Sequence, residues 1–337
     1  MSKVILPYVK PMYSTYHFLA SPGIAAKQNN TSDNWYYNNT VEWSCDRRFL
    51  GNYTGLEMRL IHGDVHNIPI IDRTRINIRF AGRCVIDIIK NIINEGFYVT
   101  FNDIDDYYIK GKCWYKEQHF NHEGMIIGYD DENNTFIMVG YDQRWIYTVF
   151  ETPQECFVEG MNSSCEQGVY GRLYAIRTKN EIYELNTRDI YNNLKKYLSS
   201  DINIYPLNTN GIACGIVVYD FLCIYLDKLL DGSIPHHRRD RRGFRMVWEH
   251  KKCMLGRIKA VENLCGWDNE LSSTYEEVVE LADKVRFIYS KFVLKYSSTH
   301  LEKMQLLLMD IKRAELDLLT KFLLKLEEVL NDGEHCS

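Results

Sequence analysis

The chain has 337 residues, of which 45% are hydrophobic and 25% are charged, the balance of an ordinary globular protein. Its formal net charge of −5 at pH 7 gives no general attraction to nucleic acid or to a membrane surface, so neither is expected as a partner. The length predicts two domains, or one domain with a large extension.

Ten cysteines are spread along the chain without a CxxC pair or a Cys/His spacing typical of metal sites, so no metal is expected. Because the N-terminus lacks the pattern of a signal peptide, we expect a cytoplasmic protein with mostly reduced, buried thiols. The longest apolar run, residues 212–230, contains Asp220, Asp227 and Lys228. Those charges predict a buried helix rather than a membrane span.

Strand and turn signals dominate residues 1–178. Ser21 followed by Pro22 predicts a helix start, with the serine as N-cap and the proline at the first helical position. Apolar residues at helical spacing predict a helix over 85–93 that ends at Gly96. Strands are predicted at 97–101, 145–150 and 172–177.

A β-hairpin is predicted between His122 and Asp142, with turn residues at 131–134 separating two runs of β-formers. A hairpin brings its two far ends together, so His122 and Asp142 can meet. That pair predicts a general base whose tautomer is fixed by a carboxylate, two thirds of a Cys-His-Asp site. His119 is a weaker rival to His122.

Residues from about 187 onward are predicted to be almost entirely helical, with capping boxes at 273–276 and 299–302. The fold class expected is therefore α+β, with a catalytic domain at 1–180 and a helical domain at 181–337. The predicted helices begin near 187 and then cover 211–230, 241–264, 274–296 and 300–331.

The nucleophile of such a site is expected at a helix N-terminus, where the helix dipole lowers a thiol pKa. The helix start near Ser21 resembles that of papain-like and C39-type cysteine peptidases, with Ala20 at the cysteine position. A pseudoenzyme and a deliberate Cys→Ala change both explain that alanine. Cys45 is the alternative nucleophile, at a spacing from His122 similar to that in C39-type peptidases. Three further alternatives stay open: Ser21 as the nucleophile, His17 as the nucleophile, or no nucleophile at all.

The assembled motifs resemble a bacterial family related to the N-terminal region of the butirosin-pathway acyltransferase, papain-fold and C39-like proteins encoded beside nonribosomal peptide genes. The resemblance implies a papain-like fold followed by a C-terminal helical bundle. The stretches that carry it are Asn34–Asn39, Gly96–Val99, Tyr107–Ile109, His122–Asp142, Gly215–Tyr219 and Trp248–Met254.

The resemblance also implies an acyltransferase or amide ligase, of which a closthioamide-type amide-forming enzyme is the nearest functional picture. An acyl group would pass from a phosphopantetheine thioester on an acyl or peptidyl carrier protein to an amine. The nucleophile at position 20 would form an acyl-enzyme, with His122 as base and Asp142 orienting it. No cofactor of the chain's own is expected. A cysteine peptidase and an inactive carrier-binding pseudoenzyme are the alternatives, the latter because of Ala20.

Two further groups of residues are predicted to bind partners. Substrate contacts are expected near the helix start and in the first matching stretch, at Ser21, Gly23, Trp35 and Tyr36. A basic cluster predicts a docking surface for an acidic carrier protein, at Arg238, Arg239, Arg241 and Arg242. A solvated charged loop is the other interpretation of that cluster. A homodimer is an open alternative for the assembly.

Overall fold

The computed structural model divides the chain into two compact units. The first unit comprises residues 1–32 and 65–181, and the second comprises 33–64 and 182–337. The ranges that the structure describes are 2–51, 55–61, 68–79, 81–204, 207, 210–235 and 240–334.

The architecture is α+β, with antiparallel sheets and a C-terminal helical region. The strands in chain order are β1 Lys3–Ile5, β2 Trp43–Asp46, β3 Met58–Leu60, β4 Ile71–Asn77, β5 Tyr98–Asp105, β6 Asn121–Asp130, β7 Thr135–Tyr141, β8 Tyr147–Pro153, β9 Arg172–Thr178 and β10 Ile212–Cys214. The α-helices are α1 His17–Ala26, α2 Ser32–Asn39, α3 Val85–Asn94, α4 Gln154–Glu166, α5 Thr187–Ser199, α6 Val218–Leu230, α7 Arg242–Cys265, α8 Glu270–Leu294 and α9 Ser298–Glu334.

The first unit is built on one antiparallel sheet with the order β4-β9-β5-β6-β7-β8, and β1 also pairs with β6. Alternate residues of β6 point to opposite faces, and each face is covered. Met125 and Ile127 pack with Ala20 and Ile24 of α1, whereas Ile126 packs in the cluster that contains α3 and α4. Helix α1 therefore packs against one face of the sheet.

The hairpin prediction is confirmed by β6 and β7, whose register pairs Asp130 with Thr135. Asn134 in the turn has a φ of 51°, a left-handed conformation that asparagine tolerates better than most residues. The Asp130 carboxylate accepts hydrogen bonds from the backbone N–H groups of Glu132 and Asn133 at 3.0 and 3.2 Å. The helix predicted over 85–93 is also confirmed as α3, and Gly96 after it has a φ of 80°.

Helix α1 begins five residues earlier than its proline indicates. Tyr16 is the N-cap and has extended backbone angles, and Pro22 lies inside the helix rather than at its first position. The prediction of Ser21 as N-cap is therefore wrong. His17 is the first residue of the helix, and this shift changes which side chain stands at the helix N-terminus.

The second unit combines a small sheet of order β10-β2-β3 with the helices from α5 onward. Residues 33–64 belong to this unit because β2 pairs with β10 as well as with β3, which differs from the predicted division at residue 180. The predicted helix 211–230 begins only at Val218 and is preceded by β10. Helix α8 begins at Glu270, so the predicted capping box at 273–276 lies inside it.

The helices of the described ranges include none with both the length and the apolar character that a bilayer crossing requires.

Candidate functional site

The first residue of α1 and the start of β6 bring two histidines together. The ring centroids of His17 and His122 lie 4.8 Å apart at nearly a right angle. His17 also has Tyr141 and Tyr147 within 5.6 Å, measured between ring centroids. Only 5% of His17 is exposed. Burial, followed by the charges of Lys112 and His122, holds the pKa of His17 well below its usual value, so it is neutral near pH 7.

The carboxylate that orients His122 belongs to Asp106. The Nδ1 atom of His122 lies 3.0 Å from Oδ2 of Asp106, which follows β5 directly and is fully buried. Because Nδ1 faces the carboxylate, Nε2 is the nitrogen that can exchange a proton with a substrate. This is the arrangement of a general base held by an acidic partner.

A buried lysine completes the cluster. Lys112 is 0% exposed, and its Nζ atom lies 3.3 Å from Oδ1 of Asp106. The same ammonium group donates a hydrogen bond of 2.7 Å to the backbone oxygen of Glu123. A buried carboxylate without a counter-ion would be costly, and the Lys112 ammonium supplies that counter-ion to Asp106. It also ties the loop after β5 to β6.

The predicted contact between Asp142 and His122 is wrong. The Asp142 carboxylate accepts hydrogen bonds from the backbone N–H groups of Arg144 and Ile146, each at 2.9 Å, and pairs with the Arg144 guanidinium at 3.2 Å. Burial alone would raise the pKa of Asp142, but these donors outweigh it and the pKa is lowered. Asp142 therefore stabilises the turn after β7.

His119, the rival to His122, has its own carboxylate. Its Nδ1 atom lies 2.7 Å from Oδ2 of Asp105, which also accepts a hydrogen bond from Ser163. The ring stacks on Tyr107 with centroids 4.2 Å apart, and more than half of the side chain is exposed. The adjacent residues Asp105 and Asp106 thus each pair with one histidine. Of these two histidines, His122 is the one that contacts α1.

Position 20 packs into the apolar core in this structure. Ala20 is 0% exposed and belongs to an apolar cluster with Ile24 and Met125. It lies nearly one turn beyond His17, because the helix begins at residue 17 instead of 22. The side chain at the helix N-terminus is therefore an imidazole, and none of the cysteines of the described residues lies in α1.

The other predicted site residues are divided between the units. Ser21 lines a pocket beside His17, and Gly23 is buried within α1. Trp35 and Tyr36 belong to the second unit and are 3% and 2% exposed. Cys45 is a fully buried residue of β2 in that unit, and burial raises its thiol pKa far above the usual value, which opposes a role as a thiolate.

The basic cluster is described only in part. Arg238 and Arg239 lie outside the described residues. Arg241 is exposed just before α7, and Arg242 forms an ion pair of 2.6 Å with Asp240. The docking role of these arginines stays a prediction.

Asp106, Lys112 and Glu123 were not among the residues that the sequence pointed to. A signal was present, since Asp105 and Asp106 lie four and five residues after the predicted strand 97–101 and precede His122 by fewer than twenty residues. The structure describes no group of three or more His, Cys, Asp or Glu side chains placed to hold a metal ion within its ranges.

Comparison of the chain with protein-family models gives no match, and comparison with curated proteins gives none either.

Proposed function

We propose that the first unit is an acyl-transfer site that passes an acyl group from a carrier-protein phosphopantetheine thioester to an amine. The observation that supports this most directly is the buried series Lys112–Asp106–His122, with 3.3 and 3.0 Å between successive charged or polar atoms. Such a series holds a neutral imidazole ready to take a proton. A helix N-terminus against a histidine on an antiparallel sheet is consistent with a papain-like arrangement.

The residues at the site favour direct attack by the amine over an acyl-enzyme. His17 occupies the N-terminus of α1, so the helix that contacts His122 offers an imidazole there instead of a thiol. In the proposed reaction His122 removes a proton from the amine, whose nitrogen attacks the thioester carbonyl carbon. The C–N bond forms, the C–S bond breaks, and the departing sulfur receives a proton. The α1 dipole has its positive end at His17 and would favour the developing oxyanion.

The first test is amide formation from an acyl-pantetheine thioester and a primary amine, followed by mass spectrometry of the products. The wild-type chain is expected to form the amide well above the buffer rate, and His122→Gln is expected to slow it by about 10²- to 10⁴-fold. No acyl adduct should appear on the intact wild-type protein. A wild-type rate equal to that of buffer would refute the proposal and favour a binding role.

Two matched cysteine variants test the geometry of the site. His17→Cys puts a thiol at the helix N-terminus beside His122, and we expect it to gain the mass of one acyl group from the thioester. Ala20→Cys puts the same thiol into an apolar cluster, and we expect no adduct. An adduct on the second variant alone would restore position 20 as the nucleophile position.

An inactive module that binds carrier proteins is the second candidate. The observation that favours it is His17 itself, an imidazole where a nucleophile is expected. Such a module is expected to bind an acyl-carrier protein without forming an amide. Its affinity for the carrier protein should be the same in His122→Gln as in the wild-type chain.

A further inference from the structure

A small pocket opens beside His17 in the first unit, between α1 and strands β4, β5 and β6. Its polar lining includes His17, Ser21, Asn102 and Glu123, with Arg73 also contributing. The cavity volume is about 40 Å³, which is room for roughly three water molecules. A ligand can therefore place only a small end group in it, not a whole ring or a peptide.

Glu123 supplies this pocket with a carboxylate. Among the described residues its side chain forms no hydrogen bond or ion pair, and the nearby Lys112 binds the backbone oxygen of Glu123 instead. The pairing of β5 with β6 shifts register between Phe101 and Ile104, and Asp103 in this bulge has a φ of 61°. Bulges next to active sites redirect side chains, and this one lies directly opposite Glu123.

His17 adds a second polar group to the lining. Within the described ranges, neither ring nitrogen of this buried side chain has a hydrogen-bond partner. Leaving a buried polar group unsatisfied is unfavourable, so a ligand that bonds to the ring would recover that free energy. A neutral imidazole offers one acceptor nitrogen and one N–H donor.

The ligand that complements these groups is a compact cation with several N–H donors. A primary ammonium group has three donors and a positive charge, and the residues that line the pocket include Glu123, His17 and Ser21, which carry a carboxylate, an imidazole and a hydroxyl. An anion would be repelled by Glu123. A quaternary ammonium would bring no donors to His17.

Two protein cations near the pocket do not change this conclusion. The Arg73 guanidinium stacks over the Tyr174 ring, 4.0 Å from its centroid, on an exposed part of β4, where water and salt screen its charge. Lys112 is already paired with Asp106. Burial raises the pKa of Glu123, with Lys112 opposing and Asp103 adding to that effect, and a bound cation would favour the charged form of the carboxylate.

We propose that this pocket binds the ammonium group of a primary alkylamine, and that this amine is the acceptor in the acyl transfer. The second half of this statement rests on the proposed function. The bound ammonium gives one proton to His122 and its nitrogen attacks the thioester carbon. Of the two protons left on the nitrogen, one goes to the leaving sulfur as the C–S bond breaks and the other stays on the amide nitrogen. Each turnover then yields one amide, one thiol and one proton released to solvent.

Binding can be measured without any acyl transfer. In protein labelled with ¹³C at histidine rings, n-propylamine at pH 7 is expected to shift the His17 signal saturably in NMR spectra. Propan-1-ol, of matched size but uncharged, and tetramethylammonium, charged but without donors, are expected to bind at least tenfold more weakly. Equal responses to the amine and the alcohol would overturn the proposal with no variant needed.

A matched pair of variants then assigns the charge. Glu123→Gln keeps the size of the side chain and should weaken propylamine binding at least tenfold. Glu151→Gln makes the same change at a half-exposed residue of β8 and should leave binding unchanged. Unaltered affinity in Glu123→Gln would contradict the inference.

Kinetics separate this inference from the proposed function. If both hold, Glu123→Gln raises KM for the amine at least tenfold, whereas the control Glu151→Gln leaves that KM unchanged. Amine binding by a chain that forms no amide would refute the proposed acyl transfer and keep the ammonium pocket. Amide formation with an unchanged KM in Glu123→Gln would refute the pocket and keep the acyl transfer.

Discussion

Asp106 divides its two carboxylate oxygens between His122 and Lys112, which makes it the residue on which the candidate site depends. One oxygen lies 3.0 Å from the histidine nitrogen and the other 3.3 Å from the lysine ammonium. The same group therefore fixes a tautomer and neutralises a buried cation. A change at this residue should affect both reaction rate and stability.

We expect Asp106→Asn to slow acyl transfer by about 10²- to 10⁴-fold, since His122 loses the charge that orients it. It should also lower the free energy of unfolding by about 3 kcal/mol, because Lys112 is left as an unpaired buried charge. Rates from product analysis and urea unfolding measure the two effects. Asp142→Asn is the control, and its rate should stay within about twofold of wild type. Equal losses in both variants would contradict the assignment of Asp106.

The sequence could predict His122 but not its partner, and the reason is geometric. An inner strand has two neighbours, and the hairpin pattern reveals only the neighbour that follows in sequence. The carboxylate came from the loop after β5, the other neighbour of β6. The position of His17 depended on where α1 begins, and helix boundaries are the least certain part of a sequence pattern.

Among the elements, α7 and α9 are joined by a buried ionic cluster. Lys251 lies 2.8 Å from both carboxylate oxygens of Glu315, and both side chains are fully buried. Three tyrosine hydroxyls also donate to Glu315, those of Tyr197, Tyr219 and Tyr275. Because every acceptor site of the carboxylate is used, this cluster fixes one arrangement of the helices.

We expect this cluster to give the second unit a distinctive pH dependence. Burial lowers the pKa of Lys251 to about 8, although Glu315 opposes the shift. Between pH 8 and 10 the unfolded chain therefore binds more protons at this residue than the folded chain, and stability rises with pH. The three tyrosines, whose pKa values burial raises well above 10, oppose this rise in stability as the pH approaches 10, because they begin to ionise in the unfolded chain first.

The wild-type chain is compared with the double variant Lys251→Met/Glu315→Leu, which lacks both charges of the cluster. Relative to this double variant, the wild-type free energy of unfolding should increase by about 2 to 3 kcal/mol from pH 8 to pH 10. Urea unfolding at several pH values in this window measures the difference. A difference that does not vary with pH would show that Lys251 keeps its ordinary proton affinity.

Long elements were predictable and short ones were not. Apolar periodicity indicated α3, α7 and α9, because each presents several turns of pattern. The sheet of β2, β3 and β10 was missed, since its strands contain only three or four residues. A run of that length carries too little alternation to be recognised.

For the whole molecule, the main feature is that the chain leaves the first unit at residue 32 and returns to it at residue 65. Local pattern could not reveal this path, because it depends on pairing between β2 and β10, which are far apart in sequence. Trp43 shows the result, since its indole nitrogen donates to the backbone oxygen of Gly215 at 2.8 Å.

Two fragments test this division. A fragment of residues 1–181 should expose Trp43 and Phe49, whose ring partners in the whole chain are Tyr219 and Tyr225, and it should bind a hydrophobic dye and aggregate. The second fragment also ends at residue 181, but a Gly/Ser linker replaces residues 33–64. It should remain monomeric and give a dispersed NMR spectrum. Identical behaviour of the two would show that 33–64 is stable without the helical region.

The division of the chain also sets an order of events during synthesis. Residues 33–64 emerge from the ribosome about 120 residues before the first residue of 182–337, an interval on the order of ten seconds at typical translation rates. During that time Val41, Trp43 and Phe49, all almost completely buried in the finished protein, have no helices to pack against. The nascent chain therefore passes through a stage in which this segment is a natural target for chaperones.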